Sequence, residues 1–152
     1  MATQQYIVQQ QEWSPAAVNT ALLVARVIAG IVFMAHGAQK LFGAFGGPGL
    51  SGFVQMMGPI GYLVAIGEFF GGLGLIVGIL SRFSAASLIV IMLGAIGMVH
   101  LPNGFFMNWT GAQKGEGFEY HLLAIALFLV IVIAGPGAFA LARVARFPKF
   151  FH

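Results

Sequence analysis

Two charged side chains, Arg26 and Glu68, stand inside long apolar stretches of this chain. A charge in the hydrocarbon of a membrane costs a few kcal/mol on insertion scales, roughly 2.5–3.5 each, so a charge retained there needs a partner or a task. Around the first of them, Arg26, Gly30, Phe33, Gly37 and Lys40 recur at helical spacing, with His36 beside them. A polar stripe on an apolar helix belongs against the bundle interior or a cavity rather than against lipid. His100 closes a later apolar stretch, and Glu119 and His121 open the one after it.

The spacing predicts an Arg26–Glu68 ion pair. At ~1.5 Å per residue, Arg26 lies about 16 Å along the first helix from Pro15, and Glu68 about 13 Å along the second from Pro59. Antiparallel helices would bring both near the midplane. Such a pair locks two helices, and it can also anchor a polar ligand or a proton path. His36, Lys40, His100, Glu119 and His121 are expected above that layer as a funnel of polar groups. A quinone head group needs only a His, Arg or Tyr partner beneath an apolar cleft, which this arrangement could provide, though no cofactor is required by it. Two histidines can hold a haem and His with Glu can hold a metal. No spacing is diagnostic of either, and neither haem nor a metal is expected. There is no cysteine, and no Ser-His-Asp order, phosphate loop, zinc motif or dinucleotide fingerprint is found.

The elements that must position these residues are apolar helices. Of 152 residues 59% are hydrophobic and 7% charged, against roughly 25% charged in a soluble domain. The fold class expected is all-α, a single four-transmembrane-helix bundle, with spans at about 16–42, 59–80, 82–101 and 119–142. Ser14 and Pro15 read as an N-cap and first helical residue, and Gly43 as a stop. Gly135-Pro136-Gly137 should kink the last span, which must then resume to be long enough. Gly67, Gly71, Gly74 and Gly78 form one small-residue face for close helix packing, widened by Gly72. The first loop, with no charge between Gly43 and Gly58, can dip back into the bilayer around residues 50–57. Phe105, Phe106, Trp109, Phe118 and Tyr120 suit an interfacial belt. A polar tail, 1–13, without Lys or Arg does not resemble a secretory signal, so the first span is expected to be retained. A short basic tail covers 143–152. Arg82, Arg143, Arg146 and Lys149 on one side outnumber Lys40 and Lys114 on the other, which places both termini in the cytoplasm. The net charge of +3 is scattered and does not point to nucleic acid.

These residues resemble the DoxX family of small bacterial membrane proteins. The likeness rests on Arg26-Val27, Gly30, Phe33, His36-Gly37 and Lys40-Leu41-Phe42. It continues through Gly67-Glu68, Gly71-Gly72, Leu75, Gly78, Arg82 and His100, and spans roughly residues 21–138. The resemblance implies a four-helix fold in a bacterial inner membrane. For some relatives it implies association with redox systems, such as DoxD-type subunits of thiosulfate:quinone oxidoreductase. It directs attention to Arg26, His36, Lys40, Glu68 and His100. The function expected is an auxiliary, non-catalytic or quinone-proximal membrane subunit of a redox complex, rather than an enzyme by itself. Its partners would be the lipid bilayer, other membrane or peripheral redox subunits, or further copies in a homo-oligomer. Two alternatives remain: an oligomeric small-solute or proton-coupled transporter gated by Arg26 and Glu68, and a structural subunit of a larger assembly.

Overall fold

The computed structural model describes residues 14–145 and 148. The N-terminal tail, and Arg146 and Lys149 of the basic tail, lie outside the described residues. Among the described residues six α-helices follow one another: α1 (Pro15–Phe42), α2 (Gly49–Met57), α3 (Ile60–Val77), α4 (Ser81–Ala95), α5 (Glu119–Ala134) and α6 (Leu141–Val144). A π-helical turn, Ile96–His100, and a 3-10 turn, Leu101–Asn103, extend α4.

The boundaries follow from local chemistry. The Ser14 hydroxyl accepts the Ala17 amide at 3.1 Å, Pro15 occupies the first turn, and Gly43 at φ 71° ends α1 in the left-handed conformation. The buried residues of α1, Leu22, Arg26, Ala29, Gly30, Phe33 and Gly37, fall on one face at helical spacing. That face meets α3, where the absence of side chains lets the backbones touch. A Cβ on Gly30 would stand 2.7 Å from the Gly72 carbonyl oxygen.

The other side of α3 carries the glycine face towards α4. Gly67 meets Ile91, Gly71 meets Leu88, and Gly74 meets Ser84. Gly78 does something different. It turns the chain at φ 78°, and a Cβ there would strike the Arg26 guanidinium at 2.7 Å and the Ala140 backbone at 2.6 Å. Helices α4 and α5 close the core through Leu88, Met92, Phe128 and Ile131. Outward, the bundle shows large apolar side chains such as Ile28, Leu63, Val90, Leu123 and Ile133, a surface suited to lipid rather than water. Three segments, Pro15–Phe42, Ile60–Val77 and Ser81–Asn103, are long and apolar enough to cross a membrane. This is a membrane protein.

The last element departs from expectation. Gly135 (φ 90°) and Gly137 (φ 73°) end α5 at Ala134 instead of kinking it. The chain then runs without helix over α1 and α3. The Ala138 amide donates to the Asn19 carbonyl at 3.0 Å, and the Ala142 amide to the Gly78 carbonyl at 3.2 Å. Among the described residues only the short α6 resumes. At ~1.5 Å per residue α5 is about 24 Å long, less than the roughly 30 Å of a hydrocarbon core. The non-helical stretch is tolerated because protein, not lipid, surrounds its polar backbone.

The first loop forms α2, packed on α1 and α3. The long third loop folds back on itself: Phe118 donates to the Gly104 carbonyl at 3.2 Å and Glu119 to that of Phe105 at 2.9 Å. It covers the end of the bundle opposite Ser14 and Ala145, called here the loop end.

Candidate functional site

The expected Arg26–Glu68 pair is not formed. Glu68 pairs with Lys40, Nζ to Oε2 at 2.5 Å, and the glutamate side chain is 5% exposed. Arg26 is completely buried and faces backbone carbonyls instead. Its Nε donates to Pro136 at 2.9 Å, its Nη1 to Leu75 and to Ile76 (2.9 Å for the latter), and its Nη2 to Ala138 at 3.3 Å.

The cause is register. Gly37 of α1 lies against Phe69, and Gly30 against Gly72 and Ile76, so Arg26 is level with the end of α3. The levels of Arg26 and Glu68 are therefore about 16 Å apart along the axis. Depth counted from Pro15 overlooks the turns by which α1 overhangs α3 at the end nearer Ser14. Where Gly78 turns the chain, the Ile79 amide goes back to Gly74, and Arg26 caps the last-turn carbonyls of Leu75 and Ile76. A cation at a helix C-terminus is also favoured by the helix dipole.

At the loop end a cavity of about 570 Å³ gathers most of the remaining polar candidates. His36 and Lys40 come from α1, Glu68 from α3, His100 from the π-helical turn, and His121 from the first turn of α5. The His100 and His121 rings lie 4.1 Å apart between centroids. They are too close to flank a haem plane as opposed axial ligands. His100 Nδ1 contacts the Glu116 carbonyl at 2.8 Å, which orients the ring. The Lys40 ammonium lies 5.4 Å from the Phe53 ring of α2. No group of three or more His, Cys, Asp or Glu among the described residues has metal-site geometry.

Two sequence candidates fall elsewhere. Arg26 does not line the cavity. Glu119 is occupied at the helix start, where its Oε1 accepts the Met107 amide at 2.8 Å.

One wall residue departs from the sequence expectation. Tyr120, expected in an interfacial belt, turns inwards, its ring 6.2 Å from His36 and 6.4 Å from Phe33. Among the described residues the buried Tyr120 hydroxyl has no hydrogen-bond partner, and the buried His121 Nδ1 has none of good geometry. Orphaned buried polar atoms are rare in native structures, and each costs about 1–3 kcal/mol. The rest of the lining is mainly apolar, including Phe33, Val64, Ile91 and four methionines, Met57, Met92, Met98 and Met107. Methionines give a wall that adapts to its occupant. The only advance signal for Tyr120 was its place directly before His121, at the start of a span.

Residues 21–101, which carry the Lys40–Glu68 pair and His100, match the DoxX family. The chain belongs to the DoxX family. It is 30% identical over 115 residues to "Putative oxidoreductase CatD" of Bacillus subtilis (strain 168), covering 72% of this chain and 76% of that protein. It is also 30% identical over 129 residues to "Inner membrane protein YqjF" of Escherichia coli (strain K12), covering 82% and 92%. No solved structure gives a significant match. The family match ends just after His100. The third loop and α5, which supply Tyr120 and His121, therefore complete this site from outside the matched segment.

Proposed function

We propose that this DoxX protein is a subunit of a redox complex in a bacterial inner membrane, and that its loop-end cavity receives a quinone head group. In this reading the chain crosses four times, α5 and the segment after it making the last crossing, with both termini in the cytoplasm. The observation that carries the reading is the pairing of orphaned polar atoms with an apolar wall. Tyr120 and His121, which carry those buried atoms, line a cavity shared with His36, Lys40, Glu68 and His100, whose remaining wall is mainly aromatic, aliphatic and methionine side chains. Ligand pockets run to about 300–1,000 Å³, and about 570 Å³ suits a small ring with polar oxygens on its rim.

When bound, a quinone takes up two electrons and two protons to become the quinol, and the electrons would come from the redox centre of a partner subunit. The chain's own part is to bind and orient. Tyr120 donates to one ring oxygen and His121 meets another. Lys40 keeps donors free beyond its bond to Glu68, and Glu68 neutralises the ammonium in a medium where a lone cation is costly. His36 and His100 can hold protons between the cavity and the loop surface. The relatives named an oxidoreductase and an inner membrane protein support both the setting and the chemistry.

The test is purification in mild detergent from the native membrane, with mass spectrometry of co-purifying proteins and extraction of bound quinone. Quinone and redox subunits are expected. Recovery of the protein alone refutes the reading. A transporter gated by Arg26 and Glu68 loses its basis, because the two side chains do not face each other. Solute flux into proteoliposomes abolished by exchanging both would restore it.

A further inference from the structure

Helices α3 and α4 are not packed alike along their length. Towards Ser14 and Ala145 a Cβ on Gly67 or Gly74 would stand 2.7 or 2.6 Å from Ile91 or Ser84, so the helices touch. Beyond the Gly67–Ile91 contact, towards the loop end, Leu63 and Val64 of α3, Gly94 of α4 and Met98 after it all line the cavity, with Val90 at its edge. Leu63 is 70% exposed, Val90 69% and Met98 60%. A residue that lines a cavity and is also exposed on the outer surface stands at its mouth. Gly94 lies about 20 Å along the helix from Ser81, within the roughly 30 Å of hydrocarbon. The mouth therefore opens towards lipid tails rather than water.

Gly94 itself is the second observation. The glycines of α3 are explained by close neighbours, whereas a Cβ on Gly94 or Gly97 would meet nothing within 4 Å, and of these two only Gly94 lines the cavity. Glycine inside a helix is unfavourable relative to alanine, and no packing contact accounts for this one. Directly after it the helix widens into the π-helical turn Ile96–His100, a distortion frequent at functional sites. That turn supplies Met98 and His100 to the cavity wall.

We infer that the gap between α3 and α4 is a lateral mouth through which a lipid-soluble quinone passes its head group from the hydrocarbon into the cavity, its chain staying between Leu63 and Gly94. This rests on the quinone reading of the same cavity and adds the route and the ligand class, a quinone bearing an alkyl or isoprenoid chain. Gly94 keeps the mouth clear.

The experiment uses the full chain in nanodiscs and measures equilibrium binding of two probes: a benzoquinone with a decyl chain, and the same ring without a chain. Wild type is expected to bind both. Gly94→Phe, and independently Leu63→Trp on the opposite lip, should weaken the decyl probe by about tenfold or more while leaving the tailless ring within about twofold. Ile133→Phe, on the outer face of α5 and outside the cavity lining, should change neither. If both lip variants bind both probes as wild type does, or lose both equally, the lateral mouth is overturned while the cavity reading stands. If wild type binds neither probe, the cavity reading falls, and this inference with it.

Discussion

Replacing Arg26 with methionine should loosen the fold at the end of α3 without emptying the loop-end cavity. The guanidinium donates to four backbone carbonyls, of Leu75, Ile76, Pro136 and Ala138. Two are last-turn carbonyls of α3, and two belong to the non-helical stretch after α5. Each buried acceptor left without a donor costs about 1–3 kcal/mol. Relief of the buried cation's desolvation offsets part of that sum. A net loss of about 4 kcal/mol is expected, the low end of the sum over four acceptors. At ~2–4 °C per kcal/mol for a chain of this size, the melting temperature in detergent should fall by roughly 8–16 °C. Arg26→Lys should fall in between, since one ammonium has three donors and cannot reach four acceptors spread over two segments. The assay is thermal unfolding followed by circular dichroism, with proteolysis at residues 135–140 as the local readout. A melting temperature for Arg26→Met within about 2 °C of wild type would refute the assignment of Arg26 as the clasp of that segment. So would unchanged protection of residues 135–140.

The remaining predictions concern the cavity. Lys40→Met strands a carboxylate that is 5% exposed, and it should destabilise the protein by about 3 kcal/mol. Adding Glu68→Leu should restore most of that stability but not quinone binding, which thermal unfolding and quinone extraction measured together will show. Tyr120→Phe removes a buried hydroxyl that has no partner among the described residues. The ligand-free protein should be as stable or up to about 1 kcal/mol more so, while quinone affinity falls about tenfold. A loss of stability with unchanged affinity would contradict the role given to Tyr120. Gly72→Val drives a side chain into the backbone of α1 at Met34 and Gly30, and should leave no folded protein in detergent extracts.

Helices, caps and membrane setting were legible because they depend on local order. Ser14-Pro15 starts α1 and Gly43 stops it within one turn of sequence. A chain with 7% charged residues has too little polar surface for water. The glycine face of α3 was legible for the same reason, since residues spaced by whole turns share a side wherever the helix lies. The DoxX membership could be read from short motifs along the first two spans.

Pairing was not legible. Which cation meets Glu68 depends on how far α1 overhangs α3, and only the seating of Gly30 on Gly72 and of Gly37 on Phe69 decides that. Arg26 and Lys40 lie on the same stripe, and a slide of a few turns exchanges one for the other. The fate of Gly135-Pro136-Gly137 was hidden likewise. A kink and a full stop begin with the same residues, and the outcome depended on whether Arg26 could satisfy the freed carbonyls. Tyr120 and the mouth at Gly94 belong to the same class. An aromatic at a span end turns outwards or inwards according to its neighbours, and a glycine's missing side chain has meaning only against what surrounds it. Sequence determined the elements and the polar groups they carry. Tertiary structure decided which of those groups meet, because contacts between helices depend on register and rotation that no single helix encodes.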